Sequence, residues 1–398
     1  MTRRSPRVLR LGLFDARYAR NRTTAAALAA AGAVVFDARV PVLDTFADRL
    51  GPSRDPWALI RFLSRLTWGQ VRLALVAPRR LADADLALFG YPGQWDVPLW
   101  APVARRFGCH VLFDPLVTLT ETFVEDRRLL RPGTWRARLL RTLDRRALRA
   151  ADVVLADTPQ QAAHWAALAG VSLERFIVLP VGADDLLFHP SRRSTVSWLE
   201  GQNDRLRILF YGTYSPLHGA ETIIDAVHRL ERAGESVSVV MIGSGQLEPR
   251  VRERAAALGL HAVRFIPWVP EAELAGWIAW ADVVLGIFGN TAKAARVVPN
   301  KVYQAMAMGA AIVTRDSPAM RWLAAGRAIA RLVPPADPDA LVAVLRELRN
   351  PDLRVRLGTG ARERYEAVAS TNARASSLVP LLRRLTAAPT ESERMVTV

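Results

Sequence analysis

The sequence predicts an α/β protein made of two Rossmann-like domains that face each other across a cleft. Three observations lead there. Short runs rich in Val, Ile, Leu and Phe alternate with longer Ala-rich or amphipathic stretches, the pattern of parallel strands and covering helices. The alternation is broken once, by the polar stretch 191–205 (SRRSTVSWLEGQNDR), and then restarts. A chain of 398 residues has room for two such cores.

The elements follow in order. Residues 6–14 form a mostly apolar run and predict the first strand. Residues 22–32 are Ala-rich and helical, and 33–40 return to a strand. Residues 55–77 predict an amphipathic helix, with Trp57, Ile60, Phe62, Leu63 and Trp68 interleaved with Arg61, Arg65 and Arg72. Two readings fit it: an ordinary surface helix, or one lying on an anionic membrane surface. Further strands are expected at 81–91, 110–115, 151–158 and 175–180. These elements define a first domain over 1–190, followed by a linker over 191–205.

The second domain is expected over 206–368. Strands are predicted at 206–212, 237–245, 263–268, 282–288 and 311–314. Helices are predicted at 218–234, 247–259, 271–281, 337–350 and 354–368. A helix over 369–386 is expected to pack back on the first domain, and 387–398 read as a disordered tail. In such sheets, ligands bind beyond the carboxyl ends of the strands.

Composition excludes several classes. The single Cys109 rules out an internal disulfide framework and a Cys-based zinc site, and fits a reducing cytoplasm. The basic, apolar N-terminus lacks a signal-peptide cleavage pattern, and no uncharged stretch is long enough to span a bilayer. The expected location is therefore cytoplasmic, with peripheral attachment to the inner membrane face where the arginines permit it. The net charge of +16 points to nucleic acid, an anionic membrane or a phosphorylated substrate. Nine arginines crowd into residues 126–152, yet no zinc-finger spacing or aromatic RNA-binding strand accompanies them, so no nucleic-acid partner is expected.

Only two of the 54 basic side chains are lysines, Lys293 and Lys301, and both fall in one short segment, NTAKAARVVPNKVYQAMAMGAAIVT (290–314). Asn300 reads as a helix N-cap and Gly309 as the stop before the strand AIVT. Lys301 would then be the first helical residue, where a cation opposes the helix dipole at about 0.3–1 kcal/mol. A charge-assisted bond to an anion, about 1.5–3 kcal/mol, more than offsets that cost. Lys293, Arg296 and Lys301 thus read either as an anion site or as an exposed basic cluster in an arginine-rich chain.

Several strings taken together resemble one family. VLPVGADDLLFHP (178–190) is similar to the segment closing the first domain of family 4 retaining glycosyltransferases, with Gly182, Asp184, Phe188 and Pro190 in register. YGTYSPLHG (211–219) resembles the first strand and loop of that family's second domain, with Gly212 and Gly219 at its glycine positions. MIGSGQLEPRVRERA (241–255), residues 263–286 and QAMAMGAAIVT (304–314) resemble the units that follow. The resemblance implies the GT-B fold, a nucleotide-diphosphate-sugar donor, a saccharide or lipid-linked acceptor, and transfer with retention.

It also implies site residues. The donor would meet Gly212, Thr213, Gly219, Gly243, Lys293, Arg296, Asn300, Lys301 and Gln304. His218, a simple loop residue on the plain reading, would donate to phosphate if protonated. Asp114, at the carboxyl end of a strand, would face the acceptor together with Arg20, Asn21 and Glu121. A solvated loop would look alike. No metal and no cofactor are expected, since no paired acids with metal-binding spacing fall at the cleft.

The departures from the family are as informative. Thr213 and His218 stand where the family has Arg and Lys. Gln304 stands where the family has the glutamate that holds the ribose, and Arg296 stands close to where it has the glutamate near the transferred sugar. The lost glutamates motivate one rival, a non-catalytic module that binds nucleotide sugar or glycan; the shared fold admits a second, a nucleotide-sugar epimerase, and the net charge a third, a charge-driven nucleic-acid binder.

Overall fold

The computed structural model describes residues 4–42, 56–192 and 204–386. Most of the predicted linker 191–205 and all of the predicted tail 387–398 lie outside the described residues.

The first sheet begins with β1 (Arg7–Gly12), α1 (Ala19–Ala30) and β2 (Val34–Arg39). Next come α2 (Pro56–Leu81), β3 (Leu86–Phe89), α3 (Val97–Arg106) and β4 (His110–Phe113). It ends with α4 (Trp135–Ala150), β5 (Val153–Ala156), α5 (Pro159–Ala169) and β6 (Phe176–Val178). Its strands run parallel in the order β2-β1-β3-β4-β5-β6. Strands covered on both faces must be apolar throughout, and β3 and β5 are buried at every position.

The second sheet opens with β7 (Leu206–Tyr211), α6 (Ala220–Arg232), β8 (Val237–Ile242) and α7 (Glu248–Ala257). It continues through β9 (Val263–Ile266), α8 (Glu271–Trp280), β10 (Val283–Leu285), α9 (Ala292–Arg296) and α10 (Asn300–Ala307). Next come β11 (Ile312–Arg315), α11 (Pro318–Ala324) and β12 (Arg331–Val333), and the described chain closes with α12 (Pro338–Glu347), α13 (Pro351–Val368) and α14 (Thr371–Leu385). This sheet is also parallel, in the order β12-β11-β10-β7-β8-β9. The two-sheet α/β class expected from the sequence is the one observed. Short α11 and β12 were missing from the expectation, because seven and three residues are too few for a periodic signal.

Helices cover both faces of the first sheet. Residues of α2, α3, α4 and α5 pack into one cluster, while α1 and α14 share the cluster on the opposite face. The last helix is fastened there by Arg374. Its Nη1 donates to the Thr23 carbonyl at 2.9 Å and its Nη2 to Thr24 Oγ1 at 3.3 Å. Burial, then neighbouring Arg20, pull the Arg374 guanidinium down to about 9.

A second fastener ties α1 to the strand ends. Arg20 Nε donates to both Asp114 oxygens at 2.9 Å, and its Nη1 donates to the carbonyls of Leu179 and Pro180. Thr24 Oγ1 also donates to Asp114. The two charged side chains are 0% and 1% exposed. Removing one member of such a pair leaves the other buried and unpaired. Asp114→Ala is therefore expected to destabilise the protein by about 3–5 kcal/mol. Urea unfolding checks this: a midpoint unchanged from the parent would show that Asp114 is not holding α1 in place.

Candidate active site

Loops at the carboxyl ends of β7 and β8 form the floor of the site. After β7 the chain passes Gly212 at φ +137, half-buried Thr213, and a short helical turn ending at Gly219, φ +60. After β8, Gly243 lies so close that a Cβ there would stand 2.0 Å from the Gly212 carbonyl oxygen. No other residue type permits both that contact and φ +129 at Gly243.

His218 and Lys301 converge on this floor. A Cβ at Gly212 would lie 3.1 Å from His218 Nε2 and 3.3 Å from Lys301 Nζ. Lys301 is 4% exposed. Its Nζ donates to the Gly286 carbonyl at 3.2 Å and sits 3.8 Å from the centroid of the Phe210 ring. Burial pushes its pKa well below the ordinary lysine range. Burial, then Lys301, Arg127 and Lys293, push His218 well below its ordinary value too. Burial beside these basic side chains disfavours the protonated ring on which a bond from His218 to phosphate would depend. Its Nδ1 lies 3.0 Å from Ser215 Oγ.

Two further corrections concern α10. Extended Pro299 occupies the cap position, so Asn300 is the first helical residue and Lys301 the second. The proline ring fixes the extended-to-helical turn that a side-chain cap was expected to make. Lys301 is also turned into the second sheet's core rather than displayed at the helix end, and Asn300 is half-buried.

The second cluster crosses between the two units. Arg296 Nη2 donates to Glu121 Oε1 at 3.0 Å and Glu125 Oε2 at 2.6 Å. Thr158 Oγ1 donates to the Arg296 carbonyl. Lys293 Nζ is 3.8 Å from Asp126 Oδ2, and Asp126 Oδ1 accepts from the Leu217 amide at 3.0 Å. Glu121 is 0% exposed. Burial opposes its charge, but Lys293, the Gln161 amide, Arg296 and the Trp165 indole outweigh it and hold the carboxyl at about 2. Burial likewise opposes the Arg296 charge, and Glu121 with Glu125 outweighs it and raises that pKa.

Glu121, Glu125 and His164 stand close enough together to raise the question of a metal. The Arg296 guanidinium already bonds both carboxylates, so the charge a cation would supply is present in the side chain.

A third cluster lies around Gln304. Its Nε2 donates to Glu271 Oε1 at 3.2 Å, and Arg22 Nη2, from the first unit, donates to Glu271 Oε2 at 2.7 Å. Arg22 Nε also donates to Asp184 at 3.2 Å. Arg296 and Gln304 are thus each bonded to a glutamate supplied from elsewhere in the chain.

The structure therefore brings Gly212, Thr213, His218, Gly219, Gly243 and Lys301 together, with Lys293, Arg296 and Gln304 along the seam between the units. It does not present Asp114, Arg20, Asn21 or Glu121 to an acceptor. Asp114 and Arg20 are spent on each other. Asn21 is 4% exposed and bonds the Asp15 and Tyr91 backbone. Glu121 is bound inside the seam. Sequence reading missed Arg22, Arg127 and Glu271. The surplus of arginine hid the first two, and Glu271 reads as an ordinary acid in the first turn of a helix.

Residues 205–350 match the model of the family described as glycosyl transferases group 1. The chain is 24% identical over 260 residues to the O-antigen chain mannosyltransferase C of Escherichia coli, spanning 63% of this chain and 64% of that protein. It is 30% identical over 243 residues to the D-inositol 3-phosphate glycosyltransferase of Nocardioides, spanning 55% and 51%. The chain thus spans about half to under two-thirds of these relatives. Among solved structures it is similar to HepE of Anabaena in complex with UDP: 15% identity, 96% and 100% coverage, TM-score 0.67. It is also similar to sucrose-phosphate synthase from Thermosynechococcus elongatus: 18% identity, 97% and 100% coverage, TM-score 0.72. The fold is GT-B, with two Rossmann-like units.

Two outcomes are expected from these geometries. Glu121 titrates near 2 in the fold and near 4.3 when unfolded. Its stabilisation is complete above about pH 4.3 and is lost as pH falls toward about 2. It amounts to something on the order of 3 kcal/mol. Denaturation of the parent should therefore lose more stability across that window than denaturation of Glu121→Gln. For Lys301 the sign is reversed. Burial disfavours the charged amine, so its pKa is lower folded than unfolded and the residue costs stability below the unfolded pKa, neutral pH included. Lys301→Met should raise the melting temperature of the ligand-free protein, by about 2–4 °C for each kcal/mol relieved.

Proposed function

We propose that this chain is a glycosyltransferase that binds a nucleotide-diphosphate-sugar donor on its second unit and transfers the sugar with retention to a saccharide or lipid-linked acceptor. Synthesis of a cell-surface polysaccharide or glycolipid, at the cytoplasmic face of an anionic membrane, is the setting this reading implies. The observation that carries it is the convergence of Lys301, Lys293 and Arg127 on His218, above glycine loops at the carboxyl ends of β7 and β8. Negative charge builds on a diphosphate leaving group as the sugar departs, and preorganised cations lower that barrier. The family match over residues 205–350 supports the same assignment.

Each group has a role in this reading. The backbone at Gly212, Thr213, Gly219 and Gly243 allows close approach of phosphate. Lys301 gains its proton as the diphosphate arrives, since an anion restores what burial removed. Neutral His218 shapes the floor and takes one hydrogen bond. Gln304 and Glu271 offer an amide and a carboxylate to ribose hydroxyls, and half-buried Asn300 lies about one turn before Gln304 in α10. Arg296 and Lys293 trade first-unit carboxylates for phosphate oxygens as the donor enters. Donor and acceptor are the partners of this reading, and the chemistry calls for no metal and no cofactor.

A second reading, donor binding without transfer, is favoured by one observation: Arg296 stands where the resembling family has an acid, and it is already paired to two carboxylates. Turnover with a panel of nucleotide sugars separates the two. Binding with no transfer and no hydrolysis would establish the second. Free sugar released without acceptor would indicate an epimerase.

Lys301→Ala is expected to weaken UDP or GDP binding by about tenfold to a hundredfold, the loss of one charge-assisted bond. Arg141→Ala, on the exposed face of α4, should leave it unchanged. Calorimetry in buffers of different ionisation enthalpy should show proton uptake on binding. Equal effects of the two variants, or binding without proton uptake, would remove Lys301 from the phosphate site.

A further inference from the structure

Helix α2 (Pro56–Leu81) has two apolar faces, and one of them packs into the core of the first unit. Leu66, Gly69, Leu73, Ala77 and Leu81 recur three or four residues apart, and all are buried. At 100° per residue, Trp57, Ile60, Trp68, Val71 and Leu75 fall within about 60° of the diametrically opposite direction. They are 70%, 55%, 64%, 48% and 78% exposed. A surface helix of a soluble domain needs one apolar stripe, and the second is unexplained by the core of the first unit.

The charges flanking this second stripe are of one sign. Arg61, Arg72 and Arg79 project along one edge of it, and all three are exposed. No Asp or Glu occurs anywhere in Pro56–Leu81. The neighbouring helices extend the pattern. α2, α3 and α4 belong to one layer, joined by a shared core and by the bond from Trp100 Nε1 to Gln70 Oε1 at 2.7 Å. α4 adds Trp135 and Leu139, 69% and 59% exposed, among the exposed Arg136, Arg138 and Arg141. No helix among the described residues is long and apolar enough to cross a membrane.

We infer that the outer face of α2, extended by the start of α4, docks on an anionic lipid bilayer with the helix lying in the interface. The tryptophans seat at headgroup depth, the aliphatic side chains enter the acyl boundary, and the arginines pair with lipid phosphates. A protein partner or a second copy would account for the apolar stripe. It would not account for exposed arginines on α2, α3 and α4 without an acid on α2. This inference deepens the membrane part of the proposed function and is independent of sugar transfer.

The test is sedimentation of the full chain with vesicles of phosphatidylcholine, with and without phosphatidylglycerol. Binding is expected only with phosphatidylglycerol, and is expected to weaken as salt rises. The double variant Trp57→Ala/Trp68→Ala should lose at least about tenfold in partitioning. Arg72→Glu/Arg79→Glu should lose roughly fivefold or more for each arginine replaced. All four side chains are exposed, so circular dichroism should be unchanged; if the tryptophan variant misfolds, the arginine variant still decides. No binding to phosphatidylglycerol vesicles, or equal binding by the arginine variant, overturns the inference. So does a dimer that the tryptophan variant dissolves without any lipid affinity. UDP binding, measured on the same samples, should be untouched, so failure of docking and failure of the donor site remain distinguishable.

Discussion

The seam between the two units is organised around one buried carboxylate. Glu121 is sealed from water, and a charge so placed costs several kcal/mol unless it is paired and hydrogen-bonded. Its own unit supplies the Thr118 amide and hydroxyl, the Gln161 amide and the Trp165 indole. The positive charge comes from the other unit, through Arg296 and Lys293. The units are therefore held in register by a directional charge match as well as by apolar contact. That match also holds α9, a five-residue helix too short to persist alone. Thr158 bonds its last carbonyl while Glu121 and Glu125 bond its last side chain.

The same match bears on chemistry. The cations that face the seam are already paired with carboxylates, so on the proposed reading an incoming diphosphate competes with Glu125 and Asp126. Glu125 is nearer the rim, 27% exposed at its side chain, while Asp126 is 9% exposed. Glu121 is deeper and better bonded, and it stays in place while the outer acids exchange. On that reading, donor entry and the pairing across the seam draw on the same cations.

Much of this was legible in sequence, and the reasons differ by residue. The strands showed because parallel strands are uniformly apolar and their spacing repeats. The lysine segment showed because two rare residues fell together. Gly212 and Gly219 showed through the family resemblance, and the structure adds the physical reason: the Phe288–Gly289 backbone leaves no room for a Cβ at Gly219, and Gly212 sits at φ +137 against the His218 and Lys301 side chains. The pairings did not show. Arg296 meets Glu121 across 175 residues and Glu125 across 171, and no periodicity carries information over that distance. Asp114 looked available because a carboxylate at a strand end commonly faces a cleft. Its partner Arg20 lies 94 residues earlier, in a helix that reads only as Ala-rich. Pro299 took the cap position because its ring supplies the turn at lower entropy than Asn300 would.

The two lysines can now be told apart. Lys293 has Asp126 within 3.8 Å, and an arginine there would keep that balance. Lys301 has no such offset: a carbonyl and the face of Phe210 are its neighbours, and burial alone drives its pKa down. A guanidinium cannot shed its proton under that pressure, whereas an amine can. In a chain that otherwise uses arginine for nearly every positive charge, position 301 is the one where substitution would install a permanent, uncompensated cation in the core of the second unit. Lysine can yield its proton to that burial where arginine cannot, and on the proposed reading an arriving anion favours the charged form again.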